Sequence, residues 1–413
     1  MSEAKIIETL RVGLIGSGFV AKFHVEALVA VRHVTVAGIH SPNAVHREAL
    51  ARHVNELDLG PCKSFASIEA MLVSGAVDAV WILAPNDTRL AIMGEIHRLV
   101  KSGRAKLVGI ACEKPLARTL AEGREMLRLA EDARLLHGYL ENQLFAPAIM
   151  RGKDILWRRA VPSAGRPYLA RAAEEHSGPH MPWFWRGAQQ GGGTLLDMGC
   201  HSIEVARFLL TRPGATRDEL QLKSVSATVG NLKWTRAQYV ERLKAAMGKD
   251  VDYSKRPAED YARTILTFRD PEDHDVLVEC TNSWAYVGAG LRATIELLGP
   301  EYAMEFNSLN SCLKVFISRA VGTGQAGEDM VEKQNAEHGL MPVVEDEAAT
   351  YGYVGEDRHV VDAFRRGRMP METFVDGVAV LGMLMALYRS AELGRVLAMP
   401  VPDLETYVPL VAR

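Results

Sequence analysis

The stretch "VGLIGSGFVAKFH", residues 12–24, sets a short apolar run against a glycine-rich turn and the opening of a helical pattern. Gly16, Gly18 and Ala21 stand in a G-x-G-x-x-A arrangement. A turn free of side chains lets backbone amides approach a pyrophosphate, and a helix start behind it adds partial positive charge. Such a turn also occurs as a plain strand-to-helix connection, so its neighbours decide the reading.

Around it the same alternation repeats to about residue 140. "RVGLIG", "VTVAGIH", "DAVWILAP", "KLVGIACEK" and "LLHGYLEN" read as strands, and the segments between them carry apolar residues at helical spacing. Strict alternation predicts a doubly wound parallel sheet covered on both sides, a Rossmann domain over residues 1–140. From 141 to 413 the texture changes to longer strands such as "YARTILTFR", "DVLVECTNSWAYV" and "RATIELLGPEYAMEF". These predict an α+β domain for substrate binding and oligomerisation on an open, largely antiparallel sheet. The polar stretches 234–260 and 318–358 read as insertions or loops.

With 413 residues, 48% apolar and 24% charged residues and a formal net charge of −3, the composition is that of an ordinary globular chain. It asks for neither nucleic acid nor an anionic membrane. No run reaches the roughly 18 apolar residues of a membrane span, and the first residues do not read as a signal peptide. Five scattered cysteines without a C-x-x-C pair favour reduced thiols in a cytoplasmic protein over disulfides or a zinc site.

At the nucleotide end, an NAD site ordinarily places Asp or Glu at the close of the second strand, gripping the ribose diol. In "AGIHSPNAVHR", residues 37–47, His40 and Ser41 stand there instead. Ser41 suits a ribose hydroxyl and Arg47 a phosphate, so the cofactor reads as NAD or NADP, leaning to NAD. Pro85 and Asn86 of "LAPNDTRL" lie at the end of the strand "DAVWILAP", at the edge where open α/β sheets bind ligands, and suit a turn equally. "VGIACEKPLART", residues 108–119, holds Glu113 and Lys114 where a buried strand ends. A charge at that place is solvated, paired or used.

The second informative stretch is "WFWRGAQQGGGTLLDMGCHSIEVARFLL", residues 183–210. Gly191 to Gly193 permit close approach of a ring or cofactor. Asp197, His201 and Glu204 fall at i, i+4 and i+7, a polar stripe on an otherwise apolar helix. From the residues alone this is either a satisfied polar network or a general base with a carboxylate fixing its tautomer. No metal is read here, since further ligands of clear spacing are missing.

The G-x-G-x-x-A turn, "EKP" at the end of the strand "KLVGIACEK" and "GGGTLLDMGCHSIE" together resemble the Gfo/Idh/MocA oxidoreductases over nearly the whole chain. The likeness extends to "GRMPMETFVDGVAVLGMLMALYRSAELGRVLAMP", similar to the family's closing helix and exit strand. The resemblance implies hydride transfer between nicotinamide and a secondary alcohol of a sugar, sugar derivative or cyclitol. Lys114 would stabilise the alkoxide, His201 would take the hydroxyl proton and Asp197 would orient it. The nucleotide set is then Gly16, Gly18, Phe19, Val20, Ser41, Pro85, Asn86, Glu113 and Lys114. Asn142, Trp183, Trp185, Arg186 and Glu204 are candidate substrate contacts, and a homo-oligomer is expected. Arg89 stands where the family commonly carries His, a departure. Two other readings stay open: a glycosidase that oxidises transiently and eliminates, and a non-catalytic nucleotide sensor.

Overall fold

The computed structural model describes residues 6–251, 253–255, 257–317, 330–335 and 338–413. It divides into two compact units, one of residues 1–145 and 352–381, the other of 146–351 and 382–413. The sequence expectation put everything beyond 140 in one domain. Residues 352–381 instead return to the first unit, because the helix Tyr353–Arg365 buries Val360, Val361 and Phe364 in the core of the nucleotide sheet.

That sheet has six parallel strands: β1 (Leu10–Ile15), β2 (Val34–His40), β3 (Lys63–Phe65), β4 (Ala79–Ile82), β5 (Gly109–Glu113) and β6 (Leu136–Leu140). Their order is β3-β2-β1-β4-β5-β6. The order reverses between β1 and β4, so a crevice opens beyond the carboxyl ends of those two strands. β1, β4 and β5 read as apolar runs because helices cover both faces; every residue of β4 and β5 is buried. The helices are α1 (Phe19–Val29), α2 (Ala44–Glu56), α3 (Ile68–Val73), α4 (Arg89–Lys101) and α5 (Leu120–Asp132). Asn43, Ser67 and Thr119 cap α2, α3 and α5 through their side chains, each accepting an amide of the first turn. α1 starts at Gly18 with no side-chain cap.

The second unit is built on a seven-stranded mixed sheet. Its strands are β7 (Leu169–Glu175), β8 (Gln221–Gly230), β9 (Tyr261–Arg269), β10 (Asp275–Ser283), β11 (Arg292–Gly299), β12 (Tyr302–Asn307) and β15 (Leu397–Ala398), while β13 (Leu313–Ile317) and β14 (Gly339–Val343) form a separate ribbon. The order is β12-β11-β7-β10-β9-β8-β15, and only β7 and β10 run parallel. "RATIELLGPEYAMEF" is a hairpin rather than one strand, turning between Gly299 and Tyr302. β9 and β11 alternate, with Ala262, Thr264, Leu266 and Phe268 and with Ala293, Ile295 and Leu297 facing inward. The helix Gly199–Leu210 lies on that face, and all of its residues are buried. On the outer face Arg171 bridges Glu279 and Glu296 on the flanking strands at 3.1 Å each.

The stretches expected as loops carry more structure. Residues 237–247 form a helix whose Leu243 packs with Trp185, Tyr253 and Trp284. Asp260 ties down the preceding segment by accepting the amides of Leu232, Lys233 and Trp234. In 318–358, residues 339–343 are β14 and 353–358 open the return helix; 318–329 and 336–337 lie outside the described residues. The helix Phe374–Leu393 is long and apolar enough to cross a membrane by composition, but 61% of that window is buried inside the molecule. Cys62, Cys112, Cys200 and Cys280 are buried and Cys312 is exposed, all five unbridged.

Candidate active site

In the first unit the β1–α1 turn forms a cradle. Gly16 has φ of +129° and a Cβ there would strike the Leu83 carbonyl, so only glycine fits. Gly18 lies in extended backbone, and a Cβ on it would meet nothing within 4 Å. The open space in front of Gly18, together with the uncapped start of α1 at Phe19 and Val20, fits a dinucleotide pyrophosphate. Phe19 is 43% exposed there.

At the close of β2, Ser41 is buried and its carbonyl accepts from the Arg47 guanidinium at 3.1 Å. The Arg47 Nε donates to Ser64 Oγ at 3.1 Å. Residues 37–47 carry no acidic side chain at this strand end and offer a hydroxyl and a guanidinium held from α2. Beyond β4, Pro85 opens the single turn Asn86–Thr88, and Asn86 is buried. Arg89 explains the departure noted in the sequence. Its Nε donates to the Ala84 carbonyl at 2.8 Å and its NH1 reaches the carbonyls of Glu113 and Pro115, lacing the β4 loop to the tip of β5.

Lys114 follows β5 and is partly exposed. Glu113, expected as a cofactor contact, turns its carboxylate into the unit. One oxygen accepts the Lys114 amide at 3.0 Å and the other faces His24 Nε2 at 3.0 Å. Burial opposes its ionisation, but the His24 contact, with Lys114 and Arg89 nearby, holds the carboxyl below its ordinary range. Asn142 opens a short turn after β6 and is buried.

In the second unit the expected single helix is broken. Thr194–Asp197 and Gly199–Leu210 meet at Met198, so Asp197 and His201 belong to successive segments. Asp197 Oδ2 accepts from Trp284 Nε1 at 3.2 Å, and His201 is 4% exposed. Glu204 is fully buried between Arg207 and Arg217, the latter at 3.0 Å, so its carboxylate serves the fold rather than a substrate. The glycine run is used internally: a Cβ on Gly192 would strike the Tyr388 hydroxyl, and one on Gly193 the Glu259 carbonyl. Trp185 is core, packed with Trp234, Tyr253 and Trp284 and donating to the Pro179 carbonyl at 3.1 Å. Trp183 stays partly exposed, stacked on Phe184, and Arg186 pairs with Asp250.

Sequence reasoning passed over Glu259, which organises this region. Its Oε1 accepts the Gly193 amide at 3.1 Å, the Leu195 amide at 2.9 Å and the Tyr388 hydroxyl at 2.6 Å. Burial pushes the carboxyl up to about 7. It also passed over His24 and Asp357, whose signal was a titratable residue inside an apolar helical stripe: His24 among Ala21, Val25 and Leu28, and Asp357 one turn before Val360 and Val361.

Residues 10–139 match the sequence profile of an oxidoreductase family with an NAD-binding Rossmann fold, and residues 163–303 match the Gfo/Idh/MocA C-terminal domain. The chain is 30% identical over 207 residues to 1,5-anhydro-D-fructose reductase of Ensifer adhaerens, covering 48% of this chain and 56% of the relative. It is 26% identical over 204 residues to inositol 2-dehydrogenase of Rhizobium meliloti, covering 49% and 55%. These matches therefore span about half the length of each relative. In fold it is similar to the crystal structure of GenD2 from gentamicin A biosynthesis in complex with NAD. That likeness has a TM-score of 0.74 at 24% identity and covers 97% of this chain and 99% of the other. The chain belongs to the Gfo/Idh/MocA family of oxidoreductases.

Proposed function

We propose that this chain is an NAD(P)-dependent dehydrogenase acting on a secondary alcohol of a sugar, sugar derivative or cyclitol. The observation that carries the reading is the open glycine cradle at Gly16 and Gly18 in the same unit as Lys114 at the tip of β5. Family membership and relatives named for 1,5-anhydro-D-fructose and inositol support the substrate class.

The bound nicotinamide supplies the hydride acceptor or donor. The amides at the start of α1 hold the pyrophosphate, and the absent Gly18 side chain lets it approach. Lys114 donates to the reacting hydroxyl and stabilises the alkoxide as it forms. His201 takes the hydroxyl proton at a ring nitrogen, while Asp197, itself held by Trp284, orients the imidazole and a neighbouring hydroxyl. At the ribose end, Ser41 and Arg47 stand in place of an acid, which suits a ribose hydroxyl or a phosphate, so the cofactor is NAD or NADP with the lean to NAD kept.

Lys114→Met tests the reading. Turnover falls by about 100-fold or more while cofactor affinity by fluorescence titration stays within about threefold. Unchanged turnover removes Lys114 from the chemistry. Running the assay with and without added cofactor separates the alternatives: net reduction of NAD or NADP supports a dehydrogenase, and sugar release without net reduction supports the eliminating glycosidase.

A further inference from the structure

Behind Lys114, within the first unit, lies a fully buried cluster of charge that the dehydrogenase reading leaves unused. His24, on α1, has no exposed surface. Its Nε2 is 3.0 Å from Glu113 Oε1 and its Nδ1 is 3.0 Å from Asp357 Oδ2. A carboxylate only accepts, so both ring nitrogens carry a proton and the ring is an imidazolium. Each carboxylate is occupied on its far side as well. Asp357 Oδ1 accepts from Trp81 Nε1 at 2.9 Å, and Glu113 Oε2 accepts the Lys114 amide at 3.0 Å. The ring of Tyr353 meets His24 edge-on at 5.3 Å.

The other groups bearing on the cluster are Glu356, Glu141, Lys114 and Arg89. Glu356 is fully buried, its two oxygens have no hydrogen-bond partner, and an oxygen of it lies within 4.8 Å of both His24 and Glu113. Burial pushes its carboxyl well above the ordinary range; His24 opposes this, and the carboxylates of Glu113, Asp357 and Glu141 add to it. Burial works against a charged His24, and Asp357 and Glu113 more than offset it.

We propose that His24 is a positioning residue for Lys114: clamped by Asp357, the imidazolium orients Glu113, whose second oxygen fixes the Lys114 backbone at the strand tip. The same helix presents its N-terminus to the cofactor cradle, one to two turns before His24, so one element carries both the cradle and the residue that sets the stance of the lysine. The positive ring also tempers the field of Glu113 on the Lys114 ammonium. This inference rests on the dehydrogenase reading for its catalytic consequence, but not for its structural one.

The test uses His24→Gln in the full chain, with Asp357→Asn as the second variant should the first fail to fold. Because Pro115 has no amide, the Lys114 amide is read by NMR hydrogen exchange, or by difference between overlapping peptides that begin at or before residue 111 and end at 113 and 115. Exchange there rises by about tenfold or more in the variant, since its acceptor is no longer held. With a turned-over substrate, kcat falls by about tenfold and cofactor affinity changes by less than about threefold. The alkaline limb of the kcat profile moves upward, because Lys114 beside a less compensated Glu113 keeps its proton to higher pH. A purely structural role would lower folded protein and leave that limb in place. Unchanged Lys114 exchange in a folded variant overturns the proposal, as does raised exchange with an unmoved alkaline limb. If no sugar or cyclitol is turned over by the native chain, the dehydrogenase reading fails alone and the exchange result decides this one.

Discussion

Glu259→Gln isolates the cost of a buried carboxyl in the second unit. Its folded value of about 7 stands well above the ordinary 4.5, and burial is the cause. The folded chain therefore holds this proton through a range where the unfolded chain has released it. Stability from this group is complete below about pH 4.5, declines as pH rises towards 7, and has fallen by roughly 3 kcal/mol above that. Glutamine keeps an oxygen for the amides of Gly193 and Leu195 and for the Tyr388 hydroxyl, and it cannot ionise. For a unit of this size about 3 kcal/mol corresponds to roughly 6–12 °C in Tm. Melting both proteins at steps from pH 4.5 to 8 measures it. The native chain loses about that much more Tm than the variant across the window, and the gap grows mainly between pH 5 and 7. Parallel pH curves would refute the assignment of a proton to Glu259.

Four further substitutions separate fold from function. Gly18→Ala leaves Tm nearly unchanged, because its Cβ meets nothing, yet weakens cofactor binding by filling the cradle; Gly16→Ala costs a few kcal/mol through positive φ and collision with Leu83. Paired melts and fluorescence titrations check both. Glu204→Gln removes the carboxylate charge held between Arg207 and Arg217 in the interior and lowers stability by about 3–5 kcal/mol, while KM for substrate on the folded fraction holds steady. A stable variant with a raised KM would return Glu204 to the substrate site. Arg47→Ala raises KM for NADP by about tenfold and for NAD by less than about threefold in parallel assays; equal effects would remove Arg47 from cofactor choice.

The parallel sheet was legible because its strands are covered on both faces, which leaves unbroken apolar runs such as "AVWI" and "GIACE". β3 was not, since three residues at a sheet edge bear no pattern. Nor was the return of 352–381 to the first unit. An apolar helical face declares that it is covered, not which sheet covers it. The hairpin after Gly299 was hidden for a similar reason: β11 and β12 are both half-buried strands, and only Gly299 and Pro300 mark their junction. Among the site residues, the glycine cradle and the place of Lys114 follow from local order along the chain. The partners of Glu204, Trp185 and Glu113 do not, because Arg217, Trp284 and His24 are remote in sequence and their meeting is a tertiary fact. The triple glycine misled: it makes room for Tyr388 and Glu259 of the protein itself.

The division of the first unit into 1–145 and 352–381 has a bearing on biosynthesis. When a ribosome has released residue 145, the six-stranded sheet is complete in strands, but Phe364, which packs edge-on against Trp81 at 5.8 Å, and Asp357, which anchors His24, are still about two hundred residues from being made. A nascent nucleotide domain must wait in that state while residues 146–351, the larger part of the second unit, are translated. An excised fragment ending near residue 145 would expose Trp81 and Gly109 on one flank, so the cofactor-binding half of this molecule can be completed only after most of the other half exists.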